Sequence, residues 1–180
     1  MVRLSDVVDY DGGMIYLLDH DLDQQTATIR MTAGPRLLPG IGALAIRTRQ
    51  RQGNLARVSV EMGADLYPPE PVDAQFLEEA TYRTERGRQY VGSCYYEHCQ
   101  GQLADPLTGS GPARVHVRLY EVPGPHEPYR ATAPGHADRL IDIDEHVLLH
   151  IWNEPLVGNQ TRSTRTQLRG IIAADSPPGS

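Results

Sequence analysis

Several stretches of this sequence hold residue types that do chemistry at close spacing. In "CYYEHC", residues 94–99, Cys94, His98 and Cys99 fall within six positions, and zinc accepts all three as ligands. No second Cys-x-x-Cys or His pair completes a tetrahedral site. In a regular strand Cys94 and Cys99 point to opposite faces, so joint use needs a turn or bulge between them. If residues 95–98 turn a hairpin, the thiols lie opposite each other within disulfide reach, although a reducing cytoplasm disfavours that bond. Two unlinked thiols are the first expectation; a disulfide and a metal site are the alternatives.

"DHDLDQQ", residues 19–25, places Asp19, Asp21 and Asp23 at alternate positions. An EF-hand loop counted from Asp19 needs Gly at its sixth position and Glu at its twelfth, where Gln24 and Arg30 stand. That reading fails. A looser oxygen cage for calcium is the minor alternative to an acidic hairpin tip. "HVLLH" spaces His146 and His150 four apart, which suits a shared metal on a helix. In a strand four residues span about 13 Å, too far for one ion. Arg47, Arg49 and Arg51 would share one strand face and could grip a phosphate or carboxylate in a bidentate way; a solvated face paired with nearby acids is the first expectation. Asp142, Asp144 and Glu145 in "IDIDEH" read as a solvated strand edge. Neither a G-x-S-x-G elbow nor a phosphate-cradling glycine loop occurs.

The elements that would position these residues read as strands. Short apolar runs bounded by Gly, Pro and Asp recur along the chain, and helical periodicity is nearly absent. "DVVDY" and "MIYLL" flank "DGG", the signature of a tight hairpin. Val115, Val117 and Leu119 alternate with His116, Arg118 and Tyr120, the pattern of one buried and one wet face. Likewise Val147, Leu149 and Ile151 share a core face, leaving His146, Leu148, His150 and Trp152 on the other, which suits a partner or a covering tail. "DLYPPEPVD" is too rich in proline for a central strand, and "PGPHEPYRATAPGH" reads as an exposed loop. "DAQFLEEA" could open a short helix over residues 73–80. The sum predicts an all-β chain: a two-sheet antiparallel β-sandwich over residues 1–157, with a partly disordered C-terminal arm over residues 158–180.

"GALAIRTRQRQGNLARVSVEM", "YPPEPVDAQFLEEATYR", "ARVHVRLYE" and "EHVLLHIWNEP", in that order, resemble a widespread group of uncharacterised actinobacterial β-sandwich proteins. The resemblance covers roughly residues 40–157, the size of one domain, and brings no catalytic motif. This chain has Phe76 where that group often has Trp before the acidic pair Glu78 and Glu79. The architecture also resembles, more weakly, the ComJ-like competence proteins, among which is a nuclease inhibitor; no residue maps to that activity.

Composition narrows the function classes. With 180 residues one domain is expected. The net charge of -6 argues against general affinity for nucleic acid, and no apolar run reaches the length of a membrane span. The N-terminus carries no export signal, so a cytoplasmic location is the default. All 17 basic residues are arginine. Residues 1–23 carry six aspartates against Arg3, whereas residues 24–60 carry six arginines and no acid, which predicts that the two segments neighbour each other in the sheet. The expectation is a non-catalytic, protein-binding or inhibitory module without a cofactor. Asp19, Asp21, Asp23, Asp142, Asp144, Glu145 and Trp152 would meet a basic partner, such as a nuclease groove. The alternatives are a structural protein of a particle or homo-oligomer, and a small metal-dependent enzyme using Cys94, His98 and Cys99.

Overall fold

The computed structural model describes residues 2–10, 12–19, 28–49, 54–63, 70–92, 101–103, 107, 111–131 and 139–156. Strands dominate them: β1 (Val2–Tyr10), β2 (Met14–Asp19), β3 (Thr28–Ile29), β4 (Leu37–Ile41), β5 (Ala43–Arg47), β6 (Asn54–Met62), β7 (Gln75–Thr84), β8 (Gln89–Gly92), β9 (Ala113–Glu121), β10 (Tyr129–Ala131), β11 (Arg139–Ile141) and β12 (Ile143–Pro155). The all-β expectation holds, but the two-sheet sandwich does not. Nine strands follow one hydrogen-bonded path, β1-β6-β12-β9-β7-β4-β5-β2-β8, with β3 added beside β4.

The path has two halves, β1-β6-β12-β9-β7 and β4-β5-β2-β8, that meet at a thin seam. There β4 and β7 share one parallel ladder position, Ile41 opposite Arg83, and Gly42 N–H donates to the Arg83 carbonyl at 2.9 Å. Further along, the Glu78 carboxylate replaces the ladder by accepting the N–H groups of Arg36 (2.7 Å) and Leu37 (3.2 Å). Because the seam is bridged, one sheet wraps round a common core. Val58 and Val60 of β6, Val115, Val117 and Leu119 of β9, and Val147, Leu149 and Ile151 of β12 face Ile15, Leu17, Leu44 and Ile46 of the other half. Burial of this apolar face is the main driving force for closure.

Three local expectations are corrected. Residues 75–80, expected within a short helix over residues 73–80, belong to the strand β7: a bulge between Phe76 and Glu78 sets extra chain against β9 and breaks the alternation there. "DGG" does turn the chain, with Gly12 and Gly13 at φ 71° and 74°, but it joins the two halves instead of forming a hairpin. β1 pairs with β6, and β2 with β5 and β8. The Pro-rich segment after β9 contains β10, which pairs with β11 as a separate two-stranded ribbon. The expected neighbouring of residues 1–23 with residues 24–60 is present in both the β1–β6 and β2–β5 pairs. The C-terminal arm, residues 158–180, lies outside the described residues.

At the β1 edge of the path, outward amides are capped by side chains: Ser5 N–H donates to Gln102 Oε1 (3.1 Å) and Val7 N–H to Asp6 Oδ1 (2.8 Å). Capped edge donors discourage pairing with another chain.

Candidate functional site

The outer face of the β1-β6-β12-β9-β7 half gathers titratable and aromatic side chains into cross-strand rows. Antiparallel and parallel registers align Arg3, Glu61, His150, Arg118 and Glu79 across five strands. Arg3 Nη1 lies 3.4 Å from Glu61 Oε1, His150 Nε2 lies 2.5 Å from Glu61 Oε2, and Arg118 Nε donates to Glu79 Oε2 at 2.7 Å. His150 is fully buried, with its ring centroid 4.7 Å from that of Tyr120. Burial, the largest influence on it, outweighs Glu61 and lowers its pKa. One row over, Trp152 stacks on His116 at 5.1 Å and 6°, with the Arg118 guanidinium 5.2 Å from the indole centroid.

A Ser–His contact stands in the same face. Ser59 Oγ is 2.8 Å from His146 Nε2 and 3.0 Å from Ser5 Oγ. The pair resembles the start of a nucleophile and base arrangement. Burial first, then His126, Arg57 and Arg3, push the His146 imidazole down to about 4. Such a group is a weak base at neutral pH, where general bases work best with a pKa near the operating pH. Ser59 itself is buried. The contact therefore serves to satisfy a polar row instead of activating an alcohol.

A depressed imidazole has a signed consequence for stability. Its contribution is fully present above the unfolded value near 6.5 and is lost as pH falls through about 4, because unfolding takes up a proton there. Urea midpoints measured from pH 7 to pH 4 should fall, and His146→Gln should flatten that fall. An unchanged profile in the variant would assign the acid sensitivity to other groups.

The structure scatters the residues singled out in the sequence. Asp19 is buried at the end of β2, where its Oδ2 accepts the N–H groups of Glu85 (3.1 Å) and Arg86 (3.0 Å) and its Oδ1 accepts Gln89 Nε2 (3.2 Å). It pins the turn between β7 and β8 and is no steering charge. Glu145 is also buried and holds Arg36 Nη2 at 2.9 Å. The bulge between Ile143 and Glu145 re-aims this side chain. Trp152 is buried in its stack. Asp142 is exposed, and Asp144 is half-buried and accepts Tyr10 Oη at 3.3 Å.

Arg47 and Arg49 do not share a strand face, since β5 ends at Arg47. Arg47 donates to the carbonyls of Pro35 (2.8 Å) and Thr32 (2.7 Å), and Arg49 pairs with Glu121. Asp21, Asp23, Arg51, Cys94, His98 and Cys99 lie outside the described residues. Among the described residues no cluster of three or more His, Cys, Asp or Glu is arranged to hold a metal ion. Sequence reasoning missed Ser5, Arg57, Ser59 and His126. Nothing local announces them, because Ser59 meets His146 only through the parallel pairing of β6 and β12, 87 residues apart.

One exposed surface adjoins this face. Val72 is 104% exposed and Phe76 46%, and Glu70, Asp73 and Glu79 beside them are exposed as well. Phe76 packs edge-on to Tyr120 at 5.6 Å, which anchors the outer end of the surface to β9. Glu70 acts to raise the Tyr120 phenol, and Asp73 acts on His146. Both acids thus lie close to the outer face.

Fold and site together define an all-β protein with one wrapped sheet, internally paired polar rows and an apolar-acidic shoulder on β7. No family model matches the chain, and no curated protein does. Two solved structures are similar to it. One is ComJ, the inhibitor of the DNA-degrading activity of NucA, from Bacillus subtilis: identity is 10%, the match covers 86% of this chain and 100% of that one, and the TM-score is 0.42. The other is described as crocagin biosynthetic gene J, at 11% identity, covering 86% and 99% of the two chains, also with a TM-score of 0.42. At that TM-score neither likeness says what this chain does.

Proposed function

We propose that this chain is a non-catalytic protein-binding module, of inhibitory kind, that docks a basic partner through the β7 shoulder. The observation that supports it is the pairing of exposed Val72 and Phe76 with Glu70, Asp73 and Glu79 on the first half of β7 and the turn that leads into it. An exposed aromatic anchor ringed by charge is the make-up of an interface centre and rim. Glu70 and Asp73 supply steering toward a basic surface, whereas Glu79 is held by Arg118. A nuclease groove is one such surface, because it must hold a phosphodiester backbone. The chain's net charge of -6 adds a long-range term of the same sign.

Catalysis has little to draw on in the described residues. Ser59 is buried and its partner His146 is weakly basic, and Glu145 and Glu61 are committed to Arg36 and Arg3. The capped amides of β1 speak against assembly by strand addition at that edge.

The test is capture from a lysate of the native host with wild-type protein and Phe76→Asp as parallel baits. A basic protein retained stoichiometrically by wild type, and at least tenfold less by Phe76→Asp, is the expected result; a tenfold loss corresponds to about 1.4 kcal/mol. Equal retention by both baits would remove the shoulder from the account. Turnover of substrate by the purified chain would remove the non-catalytic reading.

A further inference from the structure

The outer face of β1 and β6 carries a second kind of charge. We propose that Arg57, Arg3, His146 and His126, with the hydroxyls of Ser5 and Ser59, form a binding site for a small phosphate-type oxyanion. This goes beyond the protein-binding reading and is independent of it.

Register brings the groups together. Arg57 of β6 lies directly opposite His146 in the parallel pair with β12, which places their side chains about 5 Å apart at Cβ on one face. Ser59, two residues on, points the same way and contacts His146 Nε2 at 2.8 Å and Ser5 Oγ at 3.0 Å. Arg3 follows on β1, two positions from Ser5. From the other side, Val122 N–H donates to the His146 carbonyl at 3.0 Å, which lays the segment after β9 against β12. His126 on that segment meets the His146 ring edge-on, with centroids 5.8 Å apart. Arg57, the two imidazoles and the two hydroxyls thus share one face of three strands and a loop, with Arg3 at the end of that face where it meets Glu61.

The charge there is not fully neutralised. Arg57 is half-buried and forms no ion pair among the described residues, unlike Arg36, Arg49, Arg83, Arg114 and Arg118. Arg3 reaches Glu61 only at 3.4 Å, and Glu61 is shared with His150. Burial first, then His126, Arg57 and Arg3, keep the His146 imidazole uncharged, and Asp73 opposes them. Glu61, at the Arg3 end of the face, and Asp9, exposed on β1 two positions beyond Val7, are the other nearby acids. A dianion offers what the site lacks. Guanidinium matches phosphate oxygens in a bidentate way, the Ser5 hydroxyl, which accepts from Ser59 Oγ, keeps its own hydrogen to donate to a remaining oxygen, and a bound dianion would favour protonation of the imidazoles.

The experiment is an NMR titration of the full chain with inorganic phosphate, O-phosphoserine and acetate in separate arms. Saturable shifts of Arg57, Ser59, His126 and His146, with the His146 titration moving up from about 4, are expected with phosphate. Arg57→Gln should weaken binding at least tenfold, Arg57→Lys less, and Asp73→Asn should tighten it. Equal binding of O-phosphoserine would mark the ligand as a phosphoryl group on a larger molecule, and phosphate binding alone would mark the free ion. Non-saturating shifts, acetate binding as tightly as phosphate, or Arg57→Gln binding like wild type with unchanged melting temperature would each overturn the proposal.

Discussion

Replacing Arg36 with methionine is expected to lower the unfolding free energy at pH 7 by about 3–5 kcal/mol, the cost of stranding one partner of a buried ion pair. Glu145 is only 3% exposed and depends on Arg36 Nη2 at 2.9 Å, with weaker help from the Arg49 amide at 3.3–3.4 Å. Arg36 also donates from Nε to the Arg47 carbonyl at 2.8 Å, so the same side chain ties β4 and β5 to β12. Burial already raises the Glu145 carboxyl, and Arg36 is the largest influence holding it down. Without Arg36 the folded pKa rises further. For a raised group the stabilising contribution is fully present below the unfolded value, about 4.3, and is lost as pH rises through the folded one. The variant should therefore recover part of its loss between pH 7 and pH 5, and Glu145→Gln in the same background should recover part of it at pH 7. Urea denaturation at the two pH values reads both. A loss that does not change with pH would mean that Glu145 is not the stranded group.

Gly87→Ala is expected to cost on the order of 4 kcal/mol or more, the range that marks a direct conflict with backbone. A Cβ built on Gly87 would sit 2.2 Å from the Gly111 carbonyl oxygen, and Gly87 holds φ at +73°. Neither neighbour can yield without breaking bonds that fix the turn after β7. Gly87 N–H donates to Thr84 Oγ1 at 2.8 Å, and Gly111 N–H to the Arg86 carbonyl at 2.6 Å. The same turn is held by Asp19, so its distortion would reach β2. Gly124→Ala is the control. That position has φ +117° and open space around it, and the cost there should be limited to the backbone conformation, about 1–2 kcal/mol. Thermal melts that rank the two variants equally would contradict the close approach of residues 87 and 111.

How much of this was legible in the sequence depended on whether the signal was local. The alternation of Val115, Val117 and Leu119 with His116, Arg118 and Tyr120 correctly assigned the core face of β9, and Val147, Leu149 and Ile151 did the same for β12, but the opposite face is not simply wet, since Tyr120, Leu148, His150 and Trp152 are buried as well. A side-chain period of two is a property of the strand itself. The bulge at Phe76 and Glu78 erased that period, and "QFLEE" passed for the start of a helix. Global closure was illegible for a different reason. Strands in two packed sheets and strands in one wrapped sheet bury the same alternate residues, and the difference rests on the seam where Ile41 pairs with Arg83 and Glu78 accepts the Arg36 and Leu37 amides. Asp19, Glu145 and Trp152 read as surface groups because their partners, Arg86, Arg36 and His116, lie far off in sequence.

Hydrogen exchange on the chain in complex with whatever basic protein it captures is the most direct test of the shoulder as a docking surface. Slowed exchange is expected only at residues 70–79 and their β9 neighbours near Tyr120, and it should be lost together with binding in Phe76→Asp. Protection centred instead on residues 139–144, or a captured complex in which residues 70–79 exchange as in the free chain, would contradict it.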